Sequence, residues 1–448
     1  MINAFPGYTY ENGKNMYRGV DVGKGGYVYA EPGMYTNIAL LDVQSMHPNS
    51  IVNLNAFGEY TQHFKDMLDA RIAIKHGDFE ATKNMLGGRL TPYLTDASKA
   101  KDLSNALKTA LNSCYGLTAA NFDHPMRDVR NKNNIVALRG ALFMKTLQDE
   151  VQDRGFTVVH IKTDSIKIAD ATQEIIDFVM DFGKKYGYTF ELEAIYDRIC
   201  LMNDAVYIAR YSDNEEVNGK HAGEWTATGA QFQVPYVFKT LFTKEPIEFG
   251  DLCETKEVKN SAIYLDTNES LPEGEHSYHF VGKVGSFCPI KPGCGGALLV
   301  RDMRDSDGNV KYDSVTGAKD YRWLEAEMVR ELGKEADIDL TYYNKLVDEA
   351  IYGKNKGKKN EKPGIADFGD FEWFVSDDPL PDQIDLTDTD HPIGMDLPWF
   401  VACGKETCYG CPNLDNNYPR FSCKLGYDIS DFAATQFPQD DDDLFIKR

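Results

Sequence analysis

Two carboxylates and one lysine-bearing face decide what chemistry this sequence can carry. Asp42 ends the apolar run Ile38-Ala39-Leu40-Leu41, and a polar stretch through Ser45, His47 and Pro48 follows. A short continuous apolar run bounded by turn signals reads as a buried strand. A proline-broken turn is expected after it, with apolar character returning at Ile51. Asp164 interrupts a second strand-like run, Val158 to Ile168. Acids at the ends of neighbouring buried strands sit where a core stops and a cleft begins. Two of them side by side can hold divalent ions against phosphate oxygens, because Mg²⁺ needs only one or two carboxylates beside phosphate and water. Between the acids, Lys108, Asn112 and Tyr115 fall at i, i+4 and i+7, one face of a helix. Lysine offers a point charge to a polyphosphate, asparagine offers amide hydrogen bonds, and tyrosine offers a flat ring. A lone strand-end Asp more often caps a turn, and a lone Lys on an amphipathic helix is usually just solvated. The combination in one chain points to phosphate chemistry.

The elements that must position these groups are legible as patterns. From Phe64 to Met85 the spacing is helical, with Phe64, Met67, Leu68, Ile72 and Met85 as a candidate apolar stripe. Arg71 and Lys75 are four apart on that helix and share a face. Gly87, Gly88 and Pro92 break it, and a second helix is expected from about Ala97 to Leu117. The pair reads as a hairpin of two helices. Further helices are expected over 135–153 and 170–186, and strands over 190–209. Residues 1–26 read as loop, 321–349 as helix, and 253–299 as strand-like. Lysines among Gly and Asn over 353–363 read as a basic loop. The formal charge is −22 over 448 residues, yet Lys65 to Lys145 holds 13 Lys and Arg against 8 acids. Screening confines charge effects to about 8 Å at physiological salt, so the local excess matters more than the sum. Ten acids and no Lys or Arg lie between Asp367 and Asp396, so the acidity is concentrated near the end. A basic centre with an acidic tail is compatible with binding nucleic acid.

Asp42-x-x-Ser45-x-x-Pro48, then Lys108-x-x-x-Asn112-Ser113-x-Tyr115-Gly116, then Thr163-Asp164-Ser165, resembles motifs A, B and C of family B DNA-dependent DNA polymerases, in order. The match covers about residues 25–211 and looks most like the short polymerases of bacteriophages. The resemblance implies an α+β, right-hand fold with an antiparallel-sheet palm, two-helix fingers and a helical thumb. It implies an N-terminal segment with the first part of the palm over 1–58, fingers over 59–120, and palm over 121–222. A thumb with a strand-rich insertion would span 223–364, and an acidic, Cys-containing region 365–448. It implies two Mg²⁺ ions held by Asp42, Asp164 and the Val43 carbonyl. Lys108 would be catalytic, and it would bind the incoming nucleotide with Val43, Ser45, His47, Arg71, Lys75, Asn112 and Tyr115. Template and primer strands would meet Gly25, Gly26, Gly116, Arg127, Arg130, Lys162 and Tyr207. The partners implied are primer-template DNA and dNTPs.

Three departures from the family pattern stand out. Lys162 takes the place of the first Asp of motif C, His47 the place of the motif A tyrosine that excludes a 2′-hydroxyl, and Ala205 the lysine of a Lys-x-Tyr element that grips the primer. Other readings stay open. A reverse transcriptase usually has two adjacent acids in its third motif. A polymerase-derived structural or DNA-binding subunit usually loses the acids. A metal-dependent nuclease has no need of the Lys-Asn-Tyr face. Only 41 residues precede Asp42, fewer than the order of 100–200 that a 3′–5′ exonuclease domain would need, so the expectation is a proofreading subunit encoded separately. Asp442 to Ile446 contains a Leu-Phe pair that could dock in a sliding clamp, although a frayed acidic tail is the plainer reading. No apolar run approaches membrane-spanning length and no signal-like start is present, so the expected location is the cytoplasm, that of a bacterial host if the chain is phage-encoded.

Cys403, Cys408, Cys411 and Cys423 are candidate ligands for a structural Zn²⁺, spaced C-x4-C-x2-C-x11-C. Four unliganded thiols are the favoured reading, because the spacing lacks two regular Cys-x-x-Cys pairs. Metal analysis of protein purified without chelator should therefore find zinc well below one per chain. A full equivalent, lost on Cys408→Ser, would establish the zinc site instead.

Overall fold

The computed structural model describes residues 4–118, 120, 122, 134–304, 307–358 and 361–375, with three isolated strand pairs of residues at 384–385, 414–415 and 422–423. The chain divides into two compact units, Met1–Gly229 with Ile365–Asp370, and Ala230–Gly364 with Phe371–Arg448.

The first unit opens with a small antiparallel sheet, β1 (Thr9–Glu11), β2 (Lys14–Tyr17) and β3 (Val20–Asp21), where loop was expected. The missed signal is Asn12-Gly13. Both residues adopt positive φ, the requirement of a tight two-residue hairpin turn. Then come β4 (Val28–Ala30), β5 (Gly33–Val43), α1 (Met46–Leu54), α2 (Thr61–Lys75), α3 (Phe79–Lys83), α4 (Ala97–Thr118) and α5 (Ile135–Gln152). They are followed by β6 (Thr157–Lys162), β7 (Ser165–Ala169), α6 (Gln173–Lys185), β8 (Phe190–Asn203), β9 (Val206–Tyr211), α7 (Glu215–Asn218) and β10 (Trp225–Thr228). Seven strands form one antiparallel sheet in the order β10-β9-β8-β5-β7-β6-β4.

Alternation along β5 explains how this sheet is built. Ala39, Leu41 and Val43 face the core formed with α5 and α6, while Ile38, Leu40 and Asp42 face the other side. α5 is apolar around most of its circumference, as a helix buried in a core must be. Its Phe143 ring lies 4.6 Å from Tyr188 and 5.4 Å from Tyr186, and is also against Phe182 and Phe190. α1 stands where a proline-broken turn was expected. Pro48 falls in the first turn of that helix, where its missing N–H has no intrahelical partner to lose. The helical stretch expected from Phe64 to Met85 also splits. α2 ends at Lys75, Gly77 takes positive φ, and the Asp78 side chain accepts from Ala81 N–H at 3.0 Å to start α3. α2 and α4 form the antiparallel hairpin. Phe64 and Leu68 pack with Leu111, whereas Ala70 and Ile74 pack with Ala100, Leu103 and Leu107.

The second unit is mainly strands. Glu254–Glu257, Val284–Ile290 and Arg322–Glu325 form one antiparallel sheet, and Tyr278–Gly282, Ile263–Asp266, Leu298–Arg304 and Val310–Ser314 form another. The helix expected across 321–349 is therefore corrected. Trp323 lies in a strand and is fully buried, and its indole N–H donates to the Ala318 carbonyl at 2.9 Å. Gly333 at positive φ and the Asp339 cap then separate two helices, Ala326–Glu331 and Leu340–Tyr352. The unit thus carries these two helices beside two antiparallel sheets.

The chain is thus a mixed α+β protein with antiparallel sheets. No helix among the described residues is long and apolar enough to cross a membrane. Phe143→Ala should cost about 3–5 kcal/mol through the cavity it leaves. A urea titration should show the midpoint falling with the slope unchanged.

Candidate active site

Both acids lie at one end of the seven-stranded sheet, Asp42 at the end of β5 and Asp164 on a turn. Asp42 is opposite Ser165 in the β5–β7 ladder, one residue from Asp164, and the Val43 N–H donates to the Asp164 carbonyl at 2.8 Å. Asp164 sits in the two-residue turn between β6 and β7, where its own N–H donates to the Lys162 carbonyl at 2.8 Å. The other turn residue, Thr163, has φ +61, and Ser45, three residues after Asp42, has φ +57. A β-branched residue in that left-handed region is strained, and such outliers cluster where side chains must be held in one place. Gly26 explains how the Thr163 turn is supported. A Cβ there would stand 2.5–2.8 Å from Thr163 side-chain atoms, so the 25–26 segment touches the acid-bearing turn directly. A β-bulge in β8 at Glu193, opposite Leu40 and Leu41, twists the neighbouring strand beside Asp42.

A cavity of about 570 Å³ opens over this end of the sheet. Asp42, Val43, Ser45 and His47 line it from the β5–α1 connection and α1. Asp164 lines it from the β6–β7 turn, Arg71 and Lys75 from α2, and Lys108, Asn112 and Tyr115 from α4. Ten of the residues singled out in the sequence are thereby brought to one space. Lys108 and Asn112 are exposed into it, and Tyr115 is half-buried. The Tyr115 ring meets His47 edge-on, centroids 4.5 Å apart, and its hydroxyl donates to Asn134 Oδ1 at 3.0 Å. Arg71 donates to Ser45 Oγ at 2.8 Å. Lys75 instead bridges to Glu191 at 2.8 Å, and the Gln44 amide donates to the same carboxylate at 2.7 Å.

The electrostatics are those of a partly buried acid pair that Lys75 offsets only in part. Burial, then Asp164 and Glu193, push the Asp42 carboxyl up to about 7. Burial also raises Asp164. Burial lowers the His47 imidazole despite Asp164 nearby, so the ring is neutral at physiological pH. Glu191 behaves in the opposite way. Burial works against its charge, but the Lys75 hydrogen bond and charge hold it below the usual carboxylate range. Among the described residues no group of three or more His, Cys, Asp or Glu is arranged to hold a metal ion. The donor set still fits Mg²⁺, which takes one or two carboxylates and leaves its other positions to water and substrate phosphates. Burial makes both carboxyls costly to ionise, and a divalent cation between them would offset that cost.

The remaining candidates lie elsewhere. Lys162 and Tyr207 line a second cavity of about 330 Å³, which also reaches Asp42. Gly25 and Gly116 have open space around them. Arg127 and Arg130 lie outside the described residues, as do Cys403, Cys408 and Cys411, and only the backbone of Cys423 is described. Gln44, Glu191, Glu193, His160 and Lys167 were missed in the sequence. Glu191 and Glu193 were findable as charges alternating with Phe190, Leu192 and Ala194 in a strand. The partnership of Gln44 with Glu191 joins residues far apart in the chain and left no local signal.

No protein-family model matches the chain, and no curated protein matches it. Among solved structures it is similar to the family B DNA polymerase from the hyperthermophilic archaeon Pyrobaculum calidifontis, at 11% identity and a TM-score of 0.39. The alignment covers 70% of this chain and 44% of that one, so the chain spans less than half the length of that polymerase. This is a distant structural resemblance, and nothing about activity follows from it.

The raised Asp42 predicts a pH-dependent effect on stability. A group whose folded pKa is raised contributes its stability below the unfolded pKa and loses it as pH rises through the folded one. Metal-free Asp42→Asn should therefore melt above wild type at pH 8. The gap should narrow as pH falls from about 7 towards about 4. Melting curves of the two proteins in chelator across that range measure it, and a gap that widens on acidification would refute the assigned charge state.

Proposed function

We propose that this chain is a template-directed DNA polymerase of the family B type, adding deoxynucleotides to a primer 3′-hydroxyl with release of pyrophosphate. The observation that carries the reading is the single cavity lined by Asp42 and Asp164 on one side and by Arg71, Lys108, Asn112 and Tyr115 on the other. Acids from a strand end and a neighbouring turn and cations from two helices face one space large enough for a nucleotide. A nuclease has use for the acids alone, whereas a triphosphate needs both.

In this reading Asp42, Asp164 and the Val43 carbonyl hold two Mg²⁺ ions. When bound, these ions activate the attacking 3′-oxygen and neutralise triphosphate charge. The chain's own residues do the rest. Lys108 and Arg71 stabilise charge that grows on the phosphoryl oxygens and the leaving pyrophosphate. Ser45 orients Arg71 through the hydrogen bond it accepts. Lys75, tied to Glu191, offsets the repulsion that this carboxylate adds at Asp42. Tyr115 and Asn112 present a flat ring and an amide to the nascent base pair, and His47, braced edge-on by Tyr115, faces the sugar. Gly25 and Gly26 let the template backbone approach, as Gly116 does on α4. Sequence is read by base pairing, so the protein needs only shape and backbone contacts. Replication of a bacteriophage genome is the proposed setting. Primer-template DNA and dNTPs are the proposed partners, with a separate 3′–5′ exonuclease subunit and a sliding clamp as further members of the complex.

Primer extension with all four dNTPs tests the reading. Asp42→Ala and Asp164→Ala should each lower the single-turnover rate about a hundredfold or more while primer-template binding survives. Lys108→Ala should lower the rate and raise the dNTP concentration needed for half-maximal rate. A wild-type protein that extends no primer, or an acid variant that keeps most of the rate, would contradict it.

A further inference from the structure

The second cavity, about 330 Å³, lies on the face of the sheet that carries Asp42. Leu40 is opposite Lys167, and His160 is paired with Lys167 on the other side, so all three side chains share that face. Lys167 is only 4% exposed. Its ammonium lies 4.8 Å over the Tyr207 ring and donates to His160 Nδ1 at 3.3 Å. The orientation of the imidazole follows from its other nitrogen. Nε2 lies 3.2 Å from the Asp204 carbonyl, which can only accept, so Nε2 carries the proton and Nδ1 is left as an acceptor. Burial, with Lys167 beside it, lowers His160 to about 4, consistent with a neutral ring.

A buried ammonium normally finds a carboxylate. Asp42 and Glu193 line this cavity and attract Lys167 at a distance, but among the described residues it has no carboxylate ion pair. A second cation, Lys162, lines the same cavity and repels it. Two like charges, one of them buried and held by a neutral histidine, are an arrangement that an anionic ligand would complete.

We propose that Lys167, positioned by His160 and supported by Lys162, is the binding site for a backbone phosphate of the primer strand beside Asp42. This rests on the polymerase reading for the identity of the strand. Lys167 is a binding residue and His160 a positioning residue. The site takes the phosphodiester of a nucleic acid strand, and the triphosphate of the incoming nucleotide belongs to the other cavity.

The test is equilibrium binding of a fluorescent primer-template to the full chain over a range of salt, with nucleotide kinetics alongside. Lys167→Met should weaken binding about tenfold, as loss of one charge-assisted contact does. It should also make the log–log salt slope shallower by about 0.9, one phosphate's worth of counterions. The half-saturating dNTP concentration should stay unchanged, and Lys167→Arg should restore part of the affinity. His160→Phe should weaken binding with the same sign and less magnitude. Unchanged affinity and slope would overturn the proposal, as would an affinity loss with no change of slope, or a rise in the dNTP requirement alone. If Lys167→Met does not fold, Lys162→Met, at an exposed side chain, carries the same slope criterion. Wild-type protein that binds primer-template but does not extend it contradicts the polymerase reading and leaves the salt slope to judge the phosphate site. Wild-type protein that does not bind DNA overturns both.

Discussion

The hydrogen bond from the Val43 N–H to the Asp164 carbonyl ties the end of β5 and the β6–β7 turn, one acid on each, into one corner, and the rest of the site is arranged around the cost of that closeness. Two carboxylates in partial burial both resist ionisation, Asp164 adding to the cost at Asp42, and the charge of Lys75 offsets that cost only in part. The nearest helix cation with a carboxylate partner, Lys75, is bound to Glu191. Arg71 is engaged with Ser45. The corner is held by backbone geometry instead: left-handed Ser45 and Thr163, the Gly26 segment against Thr163, and the bulge at Glu193. In the proposed reading a divalent cation would relieve the cost of charge concentrated at this corner.

Around that corner the fold separates two kinds of surface. The core of α5 and α6 takes the Ala39, Leu41 and Val43 side of β5, so the Asp42 side is left for ligands. The α2–α4 hairpin is rigid through its two apolar seams, and it projects cations towards the acids from a different element. Asp42 borders both cavities, and in the proposed reading the sheet face is the track along which a strand would run past the nucleotide.

Much of this was legible in the sequence because it is local. The apolar run into Asp42, the helical spacing of Lys108, Asn112 and Tyr115, and the helices over 135–153 and 170–186 are short-range patterns, and the elements form there. Met1 to Gly26 was read as loop although Asn12-Gly13 is a strong hairpin signal. The turn expected at Pro48 became a helix because proline is harmless in a first turn. The stretch from Tyr321 was read as helix because its periodicity does not reveal that Trp323 is buried in a strand of another sheet. Lys167 looked like one more charge in a strand. Its burial against His160 and Tyr207 is set by the register of three strands, which no local spacing encodes.

The most direct test of the central claim is anomalous diffraction from crystals soaked in Mn²⁺, grown with a primer-template ended by a dideoxynucleotide and the complementary dNTP. The account predicts Mn²⁺ peaks between Asp42 and Asp164, about 3.5–4 Å apart, with triphosphate oxygens completing their coordination. Nucleotide bound in the cavity with no metal at these two carboxylates, or metal bound only elsewhere on the chain, would contradict it.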